Sequence, residues 1–421
     1  MNLKQLLKPL NIIVTLMKTN TYLSNLTPLR GIAALLTVIF HADLYIAFFG
    51  GTLLNDKTSH FITRMYLMVD FFFVLSGFIM CHVYATHFVD AVNGSNFKRF
   101  TIARFARIYP LHLFSLLLTV FIFFIGAKFG IPESPVLQVE NSVYSFITNL
   151  FLLQSMNLHQ WFSFTHASWS ISTEWWMYML FPFLVGPFLR LSKLGRVGIF
   201  ALCVAGYFLI GYVFLPLVTV PDALSFFRTN TTPPFSLNVS YQFGFLRCLF
   251  GFMMGMIVYL GYKDEWGKRF LASGYTFLLL ILGLGLCLHF AVLDVFTVLF
   301  FPFIILSAAY GSQKLNAILA SKPLQRIGDW SFSIYLIHQP FINAISVLLL
   351  ALSQSNPAKQ GSPPPKMGIL TSWTICLIFI VFVLLLSYLS YRFIEVPARN
   401  WINEKWGKKS IPDSSISTVN N

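Results

Sequence analysis

Residues 369–392 read ILTSWTICLIFIVFVLLLSYLSYR, an apolar run with no charged side chain until Arg392 closes it. At about 1.5 Å per residue, a helix of this length covers the roughly 30 Å hydrocarbon core of a bilayer. Such a helix is apolar on every side, which suits lipid rather than the surface of a soluble core. Working outward from it, similar runs lie near 29–49, 65–86, 109–130, 169–189, 197–217, 241–261, 271–290, 292–310 and 331–352. Together they predict an all-α polytopic membrane helical bundle of about ten transmembrane helices.

The composition agrees. Of 421 residues, 56% are hydrophobic, 17% aromatic and only 10% charged, more apolar surface than one soluble core of this length can hide. A water-soluble enzyme is thereby excluded. The net charge of +14 would suit nucleic acid or a membrane surface, and the hydropathy decides for membrane lipid, with no nucleic-acid partner. Cys81, Cys203, Cys248, Cys287 and Cys376 all fall inside apolar runs, so neither a disulfide framework nor a metal site is expected.

Lys and Arg collect on the cytoplasmic side of membrane proteins, which fixes orientation. Ten spans put both termini in the cytoplasm of a multi-pass plasma-membrane protein. Most basic residues then lie inside, in the segments around Lys98 to Arg107, Arg190 to Arg196, Lys263 to Arg269, Lys314 to Arg326 and Arg392 to Lys409. The apolar run Ser142 to Leu153 is too short to span, and a crossing there would invert every later basic loop. It reads as one short re-entrant or interfacial helix. Residues 131–168, 217–240 and 353–366 become exterior loops.

Residues 1–25 read as a cytoplasmic lead-in, 26–399 as the membrane domain and 400–421 as a cytoplasmic basic tail. The apolar stretch Asn11 to Met17 is too short to span, and no small-residue cleavage site follows it. No useful internal repeat appears, nor the matched pair of broken helices that transporters show.

An ionisable side chain within a span is costly and therefore a functional candidate. Arg30 opens the first span and His41 lies eleven residues on, roughly 16 Å deeper and three turns round plus about 20°. Both thus project from one face: a cation near the inner surface and a titratable imidazole near mid-bilayer. An interfacial anchor and a satisfied interhelical hydrogen bond would explain the two equally if taken alone. Asp43 falls on a different face. Between the second and third spans, Lys98, Arg99, Arg104 and Arg107 crowd into ten residues. If that segment is helical, Arg104 and Arg107 share a face and can clamp a phosphate, although the positive-inside bias alone would also place them there.

Glu174, in Trp169-Ser170-Ile171-Ser172-Thr173-Glu174, puts a carboxylate at the outer end of a span. His338, in Ser333-Ile334-Tyr335-Leu336-Ile337-His338, puts a second imidazole about 10 Å inside the inner end of another. Asp70, Arg247 and His289 are weaker candidates that pairing within the bundle would satisfy. For Arg392 and Glu395 an interfacial ion pair suffices.

These pieces, in this order, resemble the acyltransferase-3 family of integral-membrane O-acyltransferases. Its Arg-x10-His opening falls on Arg30 and His41, and its second-span pattern on Val69-Asp70-Phe71-Phe72-Phe73-Val74-Leu75-Ser76-Gly77-Phe78. Arg-x-x-Arg falls on Arg104 and Arg107, and Trp-Ser-x-x-x-Glu on Trp169, Ser170 and Glu174. Ser-x-Tyr-Leu-x-His falls on Ser333, Tyr335, Leu336 and His338, and the Arg-Phe-Ile-Glu-x-Pro end on Arg392 to Pro397. The matches run from Leu26 to about Arg399; Val396 departs, at a position often basic.

The resemblance implies a cytoplasmic acyl-coenzyme A donor, usually acetyl-CoA, with no tightly bound cofactor. It implies as acceptor a hydroxyl of a cell-surface glycan or lipid-linked sugar. Arg30, Arg104 and Arg107 would hold the coenzyme's phosphates. His41 would act as general base or accept the acyl group itself, with Glu174 assisting at the acceptor. Asp70, Trp169, Ser170, Tyr335 and His338 would line the substrate cavity. No extracytoplasmic domain is expected after the last span, so any second protein completing the transfer would be a separate chain. A transporter or flippase of an anionic lipid-linked sugar or acyl group is the alternative.

Overall fold

The structure, a computed structural model, describes residues 23–131, 141–220, 236–354 and 366–407. Most of the lead-in, to residue 22, and the tail from residue 408 lie outside the described residues, as do the middles of the three long loops. Among the described residues the regular elements are all helices, joined by loops. The chain enters α1 (Leu26–Phe48), crosses a loop, and winds through a 3-10 turn into α2 (Met68–Phe88). Asn93 then caps α3 (Gly94–Lys128) by accepting from the Asn96 amide. At 35 residues α3 is longer than the predicted span near 109–130, because the basic segment Lys98 to Arg107 continues the same helix.

Ser142 and Ser145 close a reciprocal cap on α4 (Val143–Leu150), followed by an irregular stretch and α5 (Trp169–Leu189). Next come α6 (Lys193–Leu209), α7 (Gly244–Lys263), α8 (Gly274–His289), α9 (Asp294–Val298) and α10 (Phe300–Tyr310). Two short helices, α11 (Gln313–Leu319) and α12 (Lys322–Asp329), lead to α13 (Ser331–Gln354). The chain ends in α14 (Ile369–Ser390), a π-helical turn over Tyr391–Glu395, and α15 (Val396–Trp406), which carries the helix past residue 399.

All ten apolar runs are helical. Seven helical stretches are long and apolar enough to cross a membrane: 26–47, 65–88, 94–128, 193–217, 244–263, 331–352 and 369–406. The other three runs have physical reasons to fall short. Ser170, Ser172, Thr173 and Glu174 make the start of α5 polar, α8 has 16 residues, and α9 and α10 divide theirs. The eight residues of α4 extend about 12 Å and cannot cross. Its C-terminal carbonyls instead plug into the bundle: Tyr109 of α3 donates to the Leu150 carbonyl at 3.0 Å, and Ser172 and Trp176 of α5 donate to that of Leu152 at 2.6 and 2.9 Å. A non-helical backbone at this depth requires such donors, because lipid offers none.

Two glycines let α2 and α7 approach to backbone contact. A Cβ on Gly77 would lie 2.0 Å from the Phe252 carbonyl oxygen, and one on Gly255 would lie 1.9 Å from that of Val74. Beside them Arg247 bonds both oxygens of Asp70, with both side chains fully buried. Asp70, expected among the substrate residues, thus has its carboxylate committed to holding α7 on α2. Likewise Arg64 pairs with Asp294, which also accepts from Tyr66 and the Leu237 amide. The close approach of Gly31 to Gly328 seats α12 across the start of α1, bringing Asp329 beside Arg30.

Candidate active site

α1 places Arg30 and His41 three turns apart, and the two residues meet different surroundings. His41 Nδ1 lies 2.9 Å from the Thr37 carbonyl, four residues earlier. A carbonyl can only accept, so Nδ1 carries the proton and Nε2 presents its lone pair. His338 of α13 repeats the arrangement: its Nδ1 lies 3.2 Å from the Ile334 carbonyl, and its buried Nε2 has no hydrogen-bond partner. The two imidazoles lie 4.9 Å apart between ring centroids. Tyr335 stands beside His338 and shares a 2.7 Å hydrogen bond with Ser170. His41, His338, Tyr335 and Ser170 are thus brought together.

Polar residues of α3 and α13 hold the irregular stretch against this group. Pro340 lacks the amide hydrogen that would bond the Leu336 carbonyl, and Ser115 of α3 donates to that carbonyl at 3.4 Å. Thr119 and Thr165 share a hydroxyl contact at 3.2 Å, and Asn343 donates to the Phe164 carbonyl at 3.1 Å. These anchors fix His166, which stacks on Phe162 at 5.1 Å and senses the charge of His41. Burial and His41 together hold the His166 imidazole well below its ordinary range, at about 4, so it remains neutral. Sequence reasoning missed His166 because it lies in a stretch read as loop.

Nearer the basic end, the charged candidates gather. Glu174 accepts from Ser76 and Tyr178, both at 2.6 Å. Arg104 donates to the Tyr84 hydroxyl at 2.7 Å and lies over the rings of Tyr84 and Tyr178. Arg107 instead pairs with Glu395, which also accepts from Ser333 at 2.8 Å and lies 3.9 Å from Arg399. Glu395 is therefore no interfacial partner of Arg392: it is a buried tie between α3, α13 and the chain end. Arg104 and Arg107 share one helix but not one partner.

Arg30 senses the charges of Arg107, Glu395 and Glu174, and among the described residues it forms no ion pair or side-chain hydrogen bond. Burial holds the Asp329 carboxyl above its ordinary range, against the pull of Arg30, Arg107 and Arg399. Trp169 stands apart from this cluster, 5.5 Å under the Arg247 guanidinium. Among the described residues, no three His, Cys, Asp or Glu side chains are grouped to hold a metal ion.

A buried imidazole pair with free lone pairs, continued toward the basic end by arginines, suits transfer of an electrophilic group brought by an anionic carrier. Comparison with known proteins gives the same class. The acyltransferase-3 family profile, an acyltransferase domain, matches residues 24–392. The chain is similar to acyltransferase MdmB of Streptomyces mycarofaciens, 28% identical over 333 residues, covering 75% of this chain and 78% of that one. It is also similar to O-acetyltransferase OatA of Staphylococcus aureus, 23% identical over 410 residues, covering 90% of this chain but 57% of that one. A shorter likeness, 38% over 104 residues, joins it to protein 2 in the picA locus of Rhizobium radiobacter, covering 25% and 47% of the two chains. No solved structure matches. With nearly its whole length matched, this multi-pass membrane chain is an acyltransferase and belongs to the acyltransferase-3 family.

Proposed function

We propose that this enzyme transfers an acyl group, acetyl foremost, from cytoplasmic acyl-CoA to a hydroxyl of a surface glycan or lipid-linked sugar. The basic end of the bundle would face the cytoplasm of a plasma-membrane protein, and both termini with it. The observation that carries the reading is the pairing within α1: Arg30 without an ion partner at the basic end, His41 with Nε2 free three turns away. Arg30 then takes a phosphate of the coenzyme, and the pantetheine arm brings the thioester along α1 toward His41. Arg104 and Arg107 contribute positive field rather than bare contacts, since Tyr84 and Glu395 already engage them. The Nε2 lone pair of His41 either receives the acyl carbon or takes the acceptor's proton.

Relatives support O-acyl transfer to the extent of their names: MdmB is an acyltransferase and OatA an O-acetyltransferase. Purified protein in liposomes, given radiolabelled acetyl-CoA and glycan from the native cell surface, tests the reading. Appearance of label in glycan ester is expected. Movement of a lipid-linked sugar across the bilayer with no consumption of acetyl-CoA would overturn it in favour of transport.

A further inference from the structure

Where α5 begins, at the end opposite the basic cluster, Gln154, Phe162, His166, Ser168, Trp169 and Tyr241 line a narrow cleft. It leaves about 10 Å³ for a water-sized group, room for one hydroxyl, and it is partly open to the surface. Two of its side chains carry polar atoms without hydrogen-bond partners among the described residues. Gln154 is only 5% exposed; its Nε2 donates to the carbonyl and hydroxyl oxygens of Ser168, at 3.2 and 3.1 Å, and its buried Oε1 accepts nothing. A backbone carbonyl cannot donate, so this assignment of the amide is chemically fixed. Neither ring nitrogen of His166 has a hydrogen-bond partner among the described residues, and the half-buried ring reaches the cleft.

Gln154 Oε1 therefore wants a hydrogen-bond donor. The His166 imidazole, neutral as shown above, can accept one too. Trp169, Phe162 and Tyr241 supply broad apolar faces around them. A ring bearing neighbouring hydroxyls above an apolar face meets both demands at once. The location adds a reason: His166, in the wall of the cleft, is near enough to His41 for their charges to interact, and His41 lies against His338, so the cleft neighbours the imidazole pair.

We propose that this cleft is the subsite of the acceptor hydroxyl, and that His166 is the catalytic residue taking the proton of the hydroxyl that becomes acylated. The inference rests on the O-acyltransferase reading and assigns His41 to the donor. The lone pair of His41 Nε2 attacks the thioester carbon, the C–N bond forms and the C–S bond breaks. The departing thiolate picks up a proton from cytoplasmic water. The acceptor oxygen then attacks the same carbon, the C–O bond forms and the C–N bond breaks, returning neutral His41. The acceptor's proton passes to His166 and from there to water at the open mouth. One proton is taken up and one released, so charge and atoms balance.

The test uses the full chain in its native membrane. It reads surface-glycan ester by mass spectrometry, acetyl-CoA binding to the solubilised protein, and recovery on adding external imidazole. His166→Ala is expected to lower ester formation about 100-fold and to leave acetyl-CoA affinity within about twofold. Imidazole, which matches the ring that His166→Ala removes and can fill the space it vacates, should restore several-fold of the loss. His166→Gln, unable to take a proton, should remain as low as alanine. Undiminished ester in His166→Ala, recovery in His166→Gln, or indifference to imidazole would each overturn the proposal. If His166→Ala loses acetyl-CoA binding as well, Gln154→Leu decides: lowered ester with donor binding intact supports the subsite, and unchanged ester overturns it. Cells making the unaltered protein but no glycan ester would instead sink the O-acyltransferase reading, and this inference with it.

Discussion

The ring planes of His41 and His338, on α1 and α13, are inclined by 40° at a centroid separation of 4.9 Å, each ring tied through Nδ1 to the carbonyl four residues before it. The ties leave both Nε2 atoms as acceptors, and at this separation a charge gained by one imidazole is felt by the other. If both take part in transfer, two such rings would act as one unit, of which α1 supplies the member three turns from Arg30.

His41→Ala should reduce acyl transfer by at least about 100-fold while the protein remains folded in the membrane. His338→Ala should cost less, and the double variant should be no worse than His41→Ala alone, because groups acting as a unit are not additive. Transfer of label from acetyl-CoA, normalised to monodisperse protein, checks this. Activity retained in His41→Ala would remove it from the mechanism.

Arg30 and Arg107 should respond differently to neutralisation. Arg107→Gln strands the carboxylate of Glu395, whose side chain is 2% exposed, and should destabilise the protein by about 3–5 kcal/mol. Arg107→Gln with Glu395→Gln should regain much of that. Arg30→Gln breaks no ion pair, so thermal stability should hold while acetyl-CoA affinity falls about tenfold, the loss of one charge-assisted hydrogen bond. Unchanged donor affinity in Arg30→Gln would confine Arg30 to topology.

The apolar runs made the helices legible, because lipid demands the same property of every spanning residue and no tertiary partner need be known. Partners were not legible. Arg107 and Glu395 stand 288 residues apart, Arg64 and Asp294 230, and no spacing rule links them. The pattern on α1 exposed His41 because an imidazole in an apolar run is conspicuous. His166 sits among Ser, Thr and Phe in a stretch that reads as loop, and only the donors of α3 and α13 show that the stretch is drawn into the bundle. Glu395 looked interfacial for want of its partner. Arg104 and Arg107 suggested a joint clamp from their i, i+3 spacing, which sets a shared face but not shared partners.

Gly255→Ala should damage packing more than its size suggests. The new methyl would meet the Val74 carbonyl oxygen at 1.9 Å, and backbone on both sides cannot yield as a flexible side chain can. A cost of about 3 kcal/mol or more is expected, at the upper end for overpacking. Gly198→Ala is the control: it sits within α6 with nothing within 4 Å, so it should stabilise by up to about 1 kcal/mol. Melting of the solubilised variants separates the two; equal behaviour would mean that α2 and α7 do not touch as described.

Orientation is open to direct measurement. Val143, 77% exposed at the start of α4, should face the exterior if the basic segments lie inside, whereas Lys193 at the start of α6 should face the cytoplasm. The natural cysteines interfere little, since all are buried except Cys287, which Cys287→Ser removes. In that background Val143→Cys should react with an impermeant maleimide on intact cells, and Lys193→Cys only after permeabilisation. The reverse pattern would place Arg30 outside, beyond the reach of a cytoplasmic coenzyme, and would break the proposed path from donor to His41. Labelling of both on intact cells would instead mean that an even number of crossings separates the two positions, and that α5, the run between them, does not span.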